Sequence, residues 1–191
     1  MTLLRWAAPE HHESIGSTNA EALLDPRIGR VLVADHQSAG QGRQGRVWAS
    51  PPGAGMAISV VVPSVPGELM GWLPMVAGLA LAGALQDSRW AVTAGLKWPN
   101  DVLVPLREDT GVRAGAGREQ AQEQGQAQEP VLEAEGRRWG KVAGTLAQVT
   151  TVHSGRVVVI GTGVNVDHTL AALPVPTATS WRLARGGAPL P

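Results

Sequence analysis

The chain of 191 residues contains no cysteine. This absence excludes disulfide bonds, a thiolate nucleophile and a cysteine-ligated zinc site, and it is typical of proteins in a reducing compartment. Residues 1–13 have neither the basic N-terminal region nor the long apolar run of a secretory signal. We therefore expect a cytoplasmic protein.

An excess of charge of either sign is also lacking, because sixteen basic residues balance sixteen acidic ones. No overall field directs such a chain to nucleic acid or to a membrane surface. The seventeen uncharged residues from Leu69 to Leu85 are interrupted by Pro74 and three glycines, which favours a buried core helix over a membrane span. We expect neither a nucleic-acid nor a membrane partner.

Lysine is scarce, since only two of the sixteen basic residues are lysines, Lys97 and Lys141. The lysine ammonium is a compact point charge on a flexible stem, suited to contacting a carboxylate or a phosphate. Chance in an arginine-rich composition explains the count as well. Both lysines nevertheless stand inside short motifs and are candidate ligand contacts.

Several enzyme signatures are missing. The sequence has no G-x-S-x-G and no H-E-x-x-H motif, and its five histidines do not form a clustered set of metal ligands. A hydrolase triad therefore has no support, and no dedicated metal site is expected.

The apolar runs and turn residues predict alternating helices and strands. Thr18 and Glu21 have the T-x-x-E spacing of a capping box, so a helix is predicted to start near Ser17 or Thr18 and to end at Asp25-Pro26. A second, core helix is predicted over residues 72–86. Strands are predicted over residues 31–34, 57–62, 96–98, 102–104, 142–151 and 156–164. The pattern indicates an α/β or α+β sheet.

Residues 105–138 stand apart in composition. Residues 119–129 alternate Gln and Glu with Ala and Gly and include no large apolar side chain. Such a segment cannot bury enough surface to offset the entropy of ordering it. We predict a disordered insertion, and a solvated helix over 118–128 is the alternative.

The segment Gly40–Gly45 matches G-x-G-x-x-G and follows a predicted strand, which on its own is a weak signal of dinucleotide binding. A Rossmann unit requires a helix to open on the third glycine, whereas residues 46–53 contain two consecutive prolines. No P-loop motif occurs either. Arg43 and Arg46 on this loop could bind a carboxylate or a phosphate. A glycine-rich surface turn with solvated arginines is the alternative.

Three further motifs carry polar groups. Residues 97–101 place a cation, an indole, an amide and a carboxylate around one corner. These groups could together hold a phosphate, a metal and an amine. A hydrogen-bonded turn is the alternative. Residues 140–144 place Lys141 between glycines, where a ligand can approach the backbone, although a strand-end lysine is the alternative. Residues 161–165 end a strand with glycines and one amide, which suits an adenine or amide ligand or simply terminates the strand.

Taken in order, these motifs resemble the biotin protein ligase family from Glu13 to about Ser180, outside the insertion. The matching segments are residues 17–19, Gln37 with 40–48, 97–101, 140–144 and 161–165. The resemblance implies an α+β fold with a mixed β-sheet backed by helices, similar to class II aminoacyl-tRNA synthetases and to the catalytic domains of biotin and lipoate protein ligases. It also implies an ATP-dependent ligase that activates biotin to biotinyl-5'-AMP. The biotin then passes to a lysine of a biotin carboxyl carrier protein or domain of an acetyl- or acyl-CoA carboxylase.

The resemblance also implies roles for particular residues. Biotin would be bound by Ser17, Thr18, Asn19, Gln37, Gln41, Gly42, Arg43 and Lys141. ATP or the adenylate would be bound by Arg46, Trp48, Lys97, Asn100 and Asn165. The catalytic residues would be Arg43, which retains the intermediate, Lys141, which contacts the biotin carboxylate, and Asp101, which orients the incoming amine or assists its deprotonation. Mg²⁺ would enter with the ATP phosphates.

The chain departs from the family in its loop and its expected extent. The family loop reads G-R-G-R-R-G-R, and Gln41 and Gln44 replace two of its arginines here. We expect a catalytic domain over 1–180 and a truncated tail over 181–191, without the N-terminal DNA-binding domain or the small C-terminal β-barrel of other members. Two alternatives remain open: a lipoate ligase of the same superfamily, and a protein that binds biotin or biotinyl-AMP with little transfer.

Overall fold

The structure is a computed structural model that describes residues 4–107, 132–134, 136–153 and 155–189. Its strands are β1 (Glu10–His12), β2 (Val31–Ala34), β3 (Gly55–Pro63), β4 (Gly95–Lys97), β5 (Asp101–Pro105), β6 (Leu132–Ala134), β7 (Arg137–Val152) and β8 (Gly155–Asn165). The described residues form one eight-stranded sheet with the order β1-β2-β3-β8-β7-β5-β4, and β6 pairs with β7 beside this path. Strands β1 and β2 run parallel and the other pairs run antiparallel, which confirms the predicted mixed sheet.

The first helix, α1 (Thr18–Leu24), starts and ends where the sequence predicts. Its N-cap is Ser17, whose hydroxyl accepts a hydrogen bond from the Ala20 backbone N–H. The predicted capping box with Thr18 as the cap does not form, because Thr18 already lies in the helix and its hydroxyl donates to the Gln37 side chain. Thr18 therefore contacts Gln37, after β2, instead of capping the helix.

The second helix, α2 (Leu73–Asp87), backs the sheet but is not the fully buried helix that its composition predicts. Gly78, Ala82 and Leu85 are buried, whereas Val76 and Leu79 are 60% and 62% exposed. Nearly every residue of α2 is apolar, so no polar stripe in the sequence marks the outer face. By length and composition alone the stretch Gly67–Asp87 would suffice to cross a membrane, and 17% of its most apolar part is buried within the protein.

The two helices lie on opposite faces of the sheet. Val159 of β8 packs in the cluster that contains Ala22 of α1, and Val164 packs in the cluster that contains Ala82 and Leu85 of α2. Successive residues of a strand point to opposite faces, so positions 159 and 164 face opposite ways. Position 161 and position 163 therefore share the face of α1, and this face holds the site described below.

The flanks of the predicted disordered insertion, residues 105–138, are ordered strands where the structure describes them. Pro105 ends β5, and β6 pairs with the start of β7 through Leu132 opposite Trp139 and Glu133 opposite Arg138. Opposite charges in directly facing positions stabilise such a pair. Composition alone does not indicate this pairing, because it depends on which strand lies opposite. Residues 108–131, which include the Gln/Glu stretch and its alternative helix, lie outside the described residues.

The predicted tail begins with a short helix, α3 (Trp181–Ala184), capped by the Ser180 hydroxyl. Trp181 and Ala184 pack against the core cluster of α2, and the Trp181 indole N–H donates to the Trp90 carbonyl over 3.0 Å. Large apolar side chains at only two positions of a four-residue helix give little periodicity, which is why the sequence gives no sign of this packing.

Candidate functional site

A cavity of about 290 Å³ opens on the α1 face of the sheet, near the lower end of the usual size of ligand pockets. Its lining residues are Ser17, Thr18, Asn19, Gln37, Gln41, Gly42, Arg43, Arg46, Val47, Trp48, Ala49, Ala57, Asn100, Lys141, Gly144, Thr145, Leu146, Gly161, Thr162, Gly163, Asn165, Pro174, Val175 and Ala178. Within the part of the chain that the structure describes, this lining includes three cationic side chains and no carboxylate. The cavity is therefore suited to an anionic ligand.

One group of lining residues, which we call the neutral end, consists of uncharged polar side chains: Ser17, Thr18, Asn19 and Gln37. The Gln37 side-chain oxygen accepts hydrogen bonds from the backbone N–H and the hydroxyl of Thr18, at 2.8 and 3.1 Å. Ser59 Oγ lies 2.7 Å from Thr18 Oγ1 and 2.6 Å from Asn19 Oδ1. Since Thr18, Asn19 and Ser59 are buried, the neutral end is a preformed network rather than a set of mobile surface groups.

Asn19 lies against the bare backbone of β8. A side chain at Gly161 would overlap the Asn19 side-chain amide, because the two groups occupy neighbouring space on the same sheet face. The remaining side-chain contact of Asn19 runs from its Nδ2, which donates to the Gln148 side-chain oxygen over 2.7 Å. Glycine at position 161 is thus required by the position of Asn19 and not only by the end of a strand.

Trp48 packs on a second patch without side chains. Gly144 of β7 and Gly163 of β8 are directly paired across the two strands, and a side chain at Gly163 would overlap the Trp48 indole. An added carbon at Gly144 would lie 3.3 Å from the same ring. The glycines of two separate sequence motifs therefore form one platform for one aromatic side chain.

The loop over residues 40–46, which we call the Gly/Arg loop, is a tight hairpin. The Gly42 N–H donates to the Arg46 carbonyl over 2.7 Å, and the Trp48 N–H donates to the Gly40 carbonyl over 2.9 Å. At its tip Gln44 adopts a left-handed backbone conformation with a φ of 58°, a region that favours glycine and asparagine. This hairpin brings Arg43 over the cavity.

The corner at residues 98–101 is held by Thr145 and contains a cis peptide bond before Pro99. Thr145 donates its backbone N–H to the Asn100 carbonyl over 2.9 Å and accepts on its own carbonyl from the Asn100 side-chain amide over 3.0 Å. The Asn100 side-chain oxygen in turn accepts from Arg43 Nη1 at 3.4 Å. The corner thus joins the Gly/Arg loop to β7.

Lys141 and Asp101 form an ion pair with an Nζ to Oδ1 distance of 2.7 Å. The Lys141 side chain is 28% exposed and the Asp101 side chain is 13% exposed, so the pair is largely shielded from water. Lys141 Nζ also lies 5.8 Å from the centre of the Trp48 ring. With Arg43 and Arg46, this lysine forms the part of the cavity that we call the charged end.

Beyond the loop, the buried side chain of His168 holds the chain that follows Trp48. His168 Nε2 lies 3.2 Å from Ser50 Oγ, and the ring is fully buried. Burial lowers the pKa of His168 below its ordinary value because the charged imidazolium would lose its hydration. Nearby, the Asn165 side-chain amide donates to the Thr179 carbonyl over 3.0 Å, which fixes the strand end against the segment before α3.

Of the site residues predicted from the sequence, all but Lys97 and Asp101 line this cavity. Asp101 joins it through its ion pair with Lys141, whereas Lys97 lies opposite Asp101 at the end of β4 and outside the lining. Sequence reasoning did not find Ser59 and Gln148, which contact the neutral end from the middle of strands. It also missed the apolar wall formed by Pro174, Val175 and Ala178. None of these residues stands in a recognisable motif.

Comparison with known proteins identifies the family to which this mixed sheet and its cavity belong. The family model of the biotin/lipoate A/B protein ligases matches residues 13–165. The chain belongs to this family.

The individual proteins to which this chain is similar include biotin ligases. The chain is 36% identical over 160 residues to a biotin--[acetyl-CoA-carboxylase] ligase of Mycobacterium tuberculosis, covering 79% of this chain and 46% of that protein. It is 32% identical over 167 residues to the bifunctional ligase/repressor BirA of Escherichia coli, covering 83% and 48%. The structure superimposes on the biotin protein ligase of Aquifex aeolicus in complex with biotin and ATP with a TM-score of 0.62 at 25% identity, covering 93% of this chain and 61% of that one. The chain spans about half the length of the two curated relatives.

Proposed function

We propose that this protein is a biotin protein ligase that makes biotinyl-5'-AMP from biotin and ATP and transfers the biotin to a lysine of a biotin carboxyl carrier protein. The observation that carries this proposal is that one cavity is lined by two separately bonded groups, the uncharged neutral end and the cationic charged end. Biotin has the same division, with an uncharged ring system at one end and a carboxylate at the other. The likeness to the Aquifex aeolicus complex with biotin and ATP supports the same ligand pair.

At the neutral end, Ser17, Thr18, Asn19 and Gln37 would bind the uncharged ring of biotin. Its urea-like group both donates and accepts hydrogen bonds, and hydroxyl and amide side chains can do both as well. A buried network that is already internally bonded loses little entropy when such a ligand enters. This preorganisation favours biotin over lipoate, whose ring has no hydrogen-bonding amide.

At the charged end, the biotin carboxylate would attack the α-phosphorus of ATP. A new bond forms between the carboxylate oxygen and phosphorus, the bond to the β-phosphate oxygen breaks, and pyrophosphate leaves. Lys141 would hold the carboxylate, and Arg43 and Arg46 would neutralise the phosphate charge, because bringing two anions together is the main electrostatic cost of this step. Trp48 would pack near the adenine.

The second step would transfer biotin from the adenylate to the carrier. A neutral lysine amine of the carrier attacks the carbonyl carbon, the amide bond forms, AMP leaves and the amine loses a proton. Asp101 would orient that amine or accept its proton, since its carboxylate stands beside Lys141 at the reacting end. Arg43, held by Asn100, would retain the adenylate until the amine arrives.

We propose that ATP enters as its Mg²⁺ complex. Among the described residues no group of three or more His, Asp or Glu side chains could hold a metal ion, so the ion would be bound through the triphosphate. The carrier domain of an acetyl- or acyl-CoA carboxylase would be the partner, and the cytoplasm, to which a chain without cysteine is suited, would be the compartment.

The test is biotin-dependent release of pyrophosphate from ATP, followed by incorporation of biotin into a purified carrier domain. We expect both, with Mg²⁺ required for the first. Release that depends on lipoate and not on biotin would replace the proposal by the lipoate ligase. Tight biotin binding without any release of pyrophosphate would replace it by the binding protein with little transfer activity.

A further inference from the structure

We propose that Gln148 is the positioning residue for Asn19 and thereby sets the affinity of the neutral end for biotin. This inference rests on the proposed function, because it concerns the same cavity. Gln148 lies in the middle of β7, belongs to none of the sequence motifs and does not line the cavity itself.

Through its contact with Asn19, Gln148 joins β7 to α1. The Gln148 side-chain oxygen accepts a hydrogen bond of 2.7 Å from Asn19 Nδ2, between residues 129 positions apart in the chain. Gln148 is half-buried and Asn19 is 7% exposed, so water does not readily replace this bond. A buried amide that loses such a partner retains the full cost of its desolvation.

Asn19 needs an external constraint because the terminal torsion of an asparagine side chain is broad and nearly two-fold. Its Oδ1 is 2.6 Å from Ser59 Oγ, but a hydroxyl both donates and accepts and therefore does not distinguish the oxygen of the amide from its nitrogen. On the third side Asn19 meets the backbone of Gly161, which offers no side chain. Gln148 thus completes a clamp on both polar ends of the amide.

The clamp determines what the cavity presents to a ligand. With Nδ2 held by Gln148 and Oδ1 held by Ser59, the remaining donor and acceptor capacity of Asn19 has one fixed direction into the cavity. If Gln148 is replaced by a side chain that cannot accept, Asn19 can turn and present the wrong atom to the uncharged ring of biotin. The charged end, which Gln148 does not contact, would bind ATP as before.

The experiment compares Gln148→Leu with Gln148→Glu and with Gln86→Leu. Leucine is close in size but cannot accept a hydrogen bond, whereas glutamate accepts from Asn19 Nδ2 and cannot donate. Gln86→Leu is the matched control, because Gln86 is exposed at the end of α2 and bonds only to the Ala94 carbonyl among the contacts described for it. Biotin Kd by calorimetry, KM for ATP at saturating biotin, and the thermal unfolding midpoint are measured for each.

We expect Gln148→Leu to raise the biotin Kd about tenfold, as the loss of one well-placed hydrogen bond would, and to leave the KM for ATP unchanged. Gln148→Glu should restore the biotin Kd to within about threefold of the original. An unchanged Kd in Gln148→Leu, an equal loss for biotin and ATP, or a failure of glutamate to restore binding would each overturn the inference. If the unsubstituted protein does not bind biotin at all, the proposed function fails instead.

Discussion

The neutral end and the charged end of the cavity are built in opposite ways. In the neutral end, four contacts, among them Ser59 Oγ to Asn19 Oδ1, are 2.6 to 2.8 Å long, and Thr18, Asn19 and Ser59 are buried. In the charged end, Arg43 reaches Asn100 only at 3.4 Å, and Arg46 is exposed. The neutral end is therefore tightly bonded before a ligand arrives, whereas in the charged end Lys141 is firmly paired with Asp101 and the two arginines are held loosely.

The difference follows from the cost of burying each kind of group. Uncharged polar groups can be removed from water when they bond to one another, so a preformed network is stable without a ligand. Guanidinium groups buried without an anion would be strongly destabilising, and hydration keeps them near the surface. The charged end is therefore completed by the anions of its substrates, and changes at the two ends should affect different measurable quantities.

The largest expected effect is on the chemical step and comes from Lys141→Ala. Removing the cation that would hold the biotin carboxylate should lower biotin-dependent pyrophosphate release by about 10²- to 10³-fold, as for other positioned electrostatic groups. The free energy of unfolding should fall as well, because the largely shielded Asp101 carboxylate would lose its cationic partner. Single-turnover release of pyrophosphate and thermal unfolding measure the two effects.

Lys97→Ala is the companion variant, because Lys97 is the other lysine of the chain and lies outside the cavity lining. Its effect on pyrophosphate release should be smaller than that of Lys141→Ala. A larger loss at Lys97 would contradict the assignment of the charged end to Lys141, Arg43 and Arg46.

A second prediction concerns the neutral end. Gly161→Ala places a methyl group where the Asn19 amide lies, and overpacking of this kind costs about 1–3 kcal/mol. We expect the free energy of unfolding to fall by that amount and the biotin Kd to rise about ten- to hundredfold, with little change in KM for ATP. Titration calorimetry measures the biotin Kd, and denaturant unfolding measures the free energy of unfolding.

The matched control is Gly83→Ala in α2, where an added carbon meets no atom within 4 Å. That variant should be as stable as the original or about 0.5–1 kcal/mol more stable, with unchanged ligand affinity. If Gly161→Ala behaves in the same way, the neutral end is not the rigid network described above.

A third prediction concerns the pH dependence of the free energy of unfolding, through a histidine behind the Gly/Arg loop. The pKa of His168 is lowered by burial, so between that pKa and its ordinary value of 6.5 the unfolded chain binds a proton that the folded chain does not. The free energy of unfolding should therefore decrease as the pH falls below about 6.5, and His168→Gln should remove this part of the slope. Since His168 contacts Ser50 behind the Gly/Arg loop, KM for ATP should rise before biotin affinity changes. A slope that is identical in both proteins would show that His168 does not contribute.

Local patterns in the sequence predicted most of the strands and many of the residues that line the cavity. Strand β2 has its predicted bounds, and the glycine, lysine and amide motifs meet in one cavity because β7 and β8 are neighbours in the sheet and Gly144 pairs with Gly163. The features that local patterns could not predict depend on contacts between residues that are far apart in the sequence. The residues Asn19 and Gln148, which contact each other, are 129 positions apart in the chain. The exposed face of α2 is the face that the sheet does not cover, and the apolar composition of the helix does not indicate it.

The smallest expected effect concerns Gln44, at the tip of the loop in the charged end. Its left-handed backbone, with a φ of 58°, costs a residue with a side chain about 1 kcal/mol, and asparagine tolerates this conformation better than glutamine. Gln44→Asn should therefore stabilise the protein by about 0.5 kcal/mol, whereas Gln41→Asn, in the same loop with an ordinary φ, should give no gain. Denaturant unfolding measures the difference. Because no described contact joins Gln44 to the neutral end, biotin affinity should stay the same, and a change in biotin affinity would mean that the two ends are coupled through the loop.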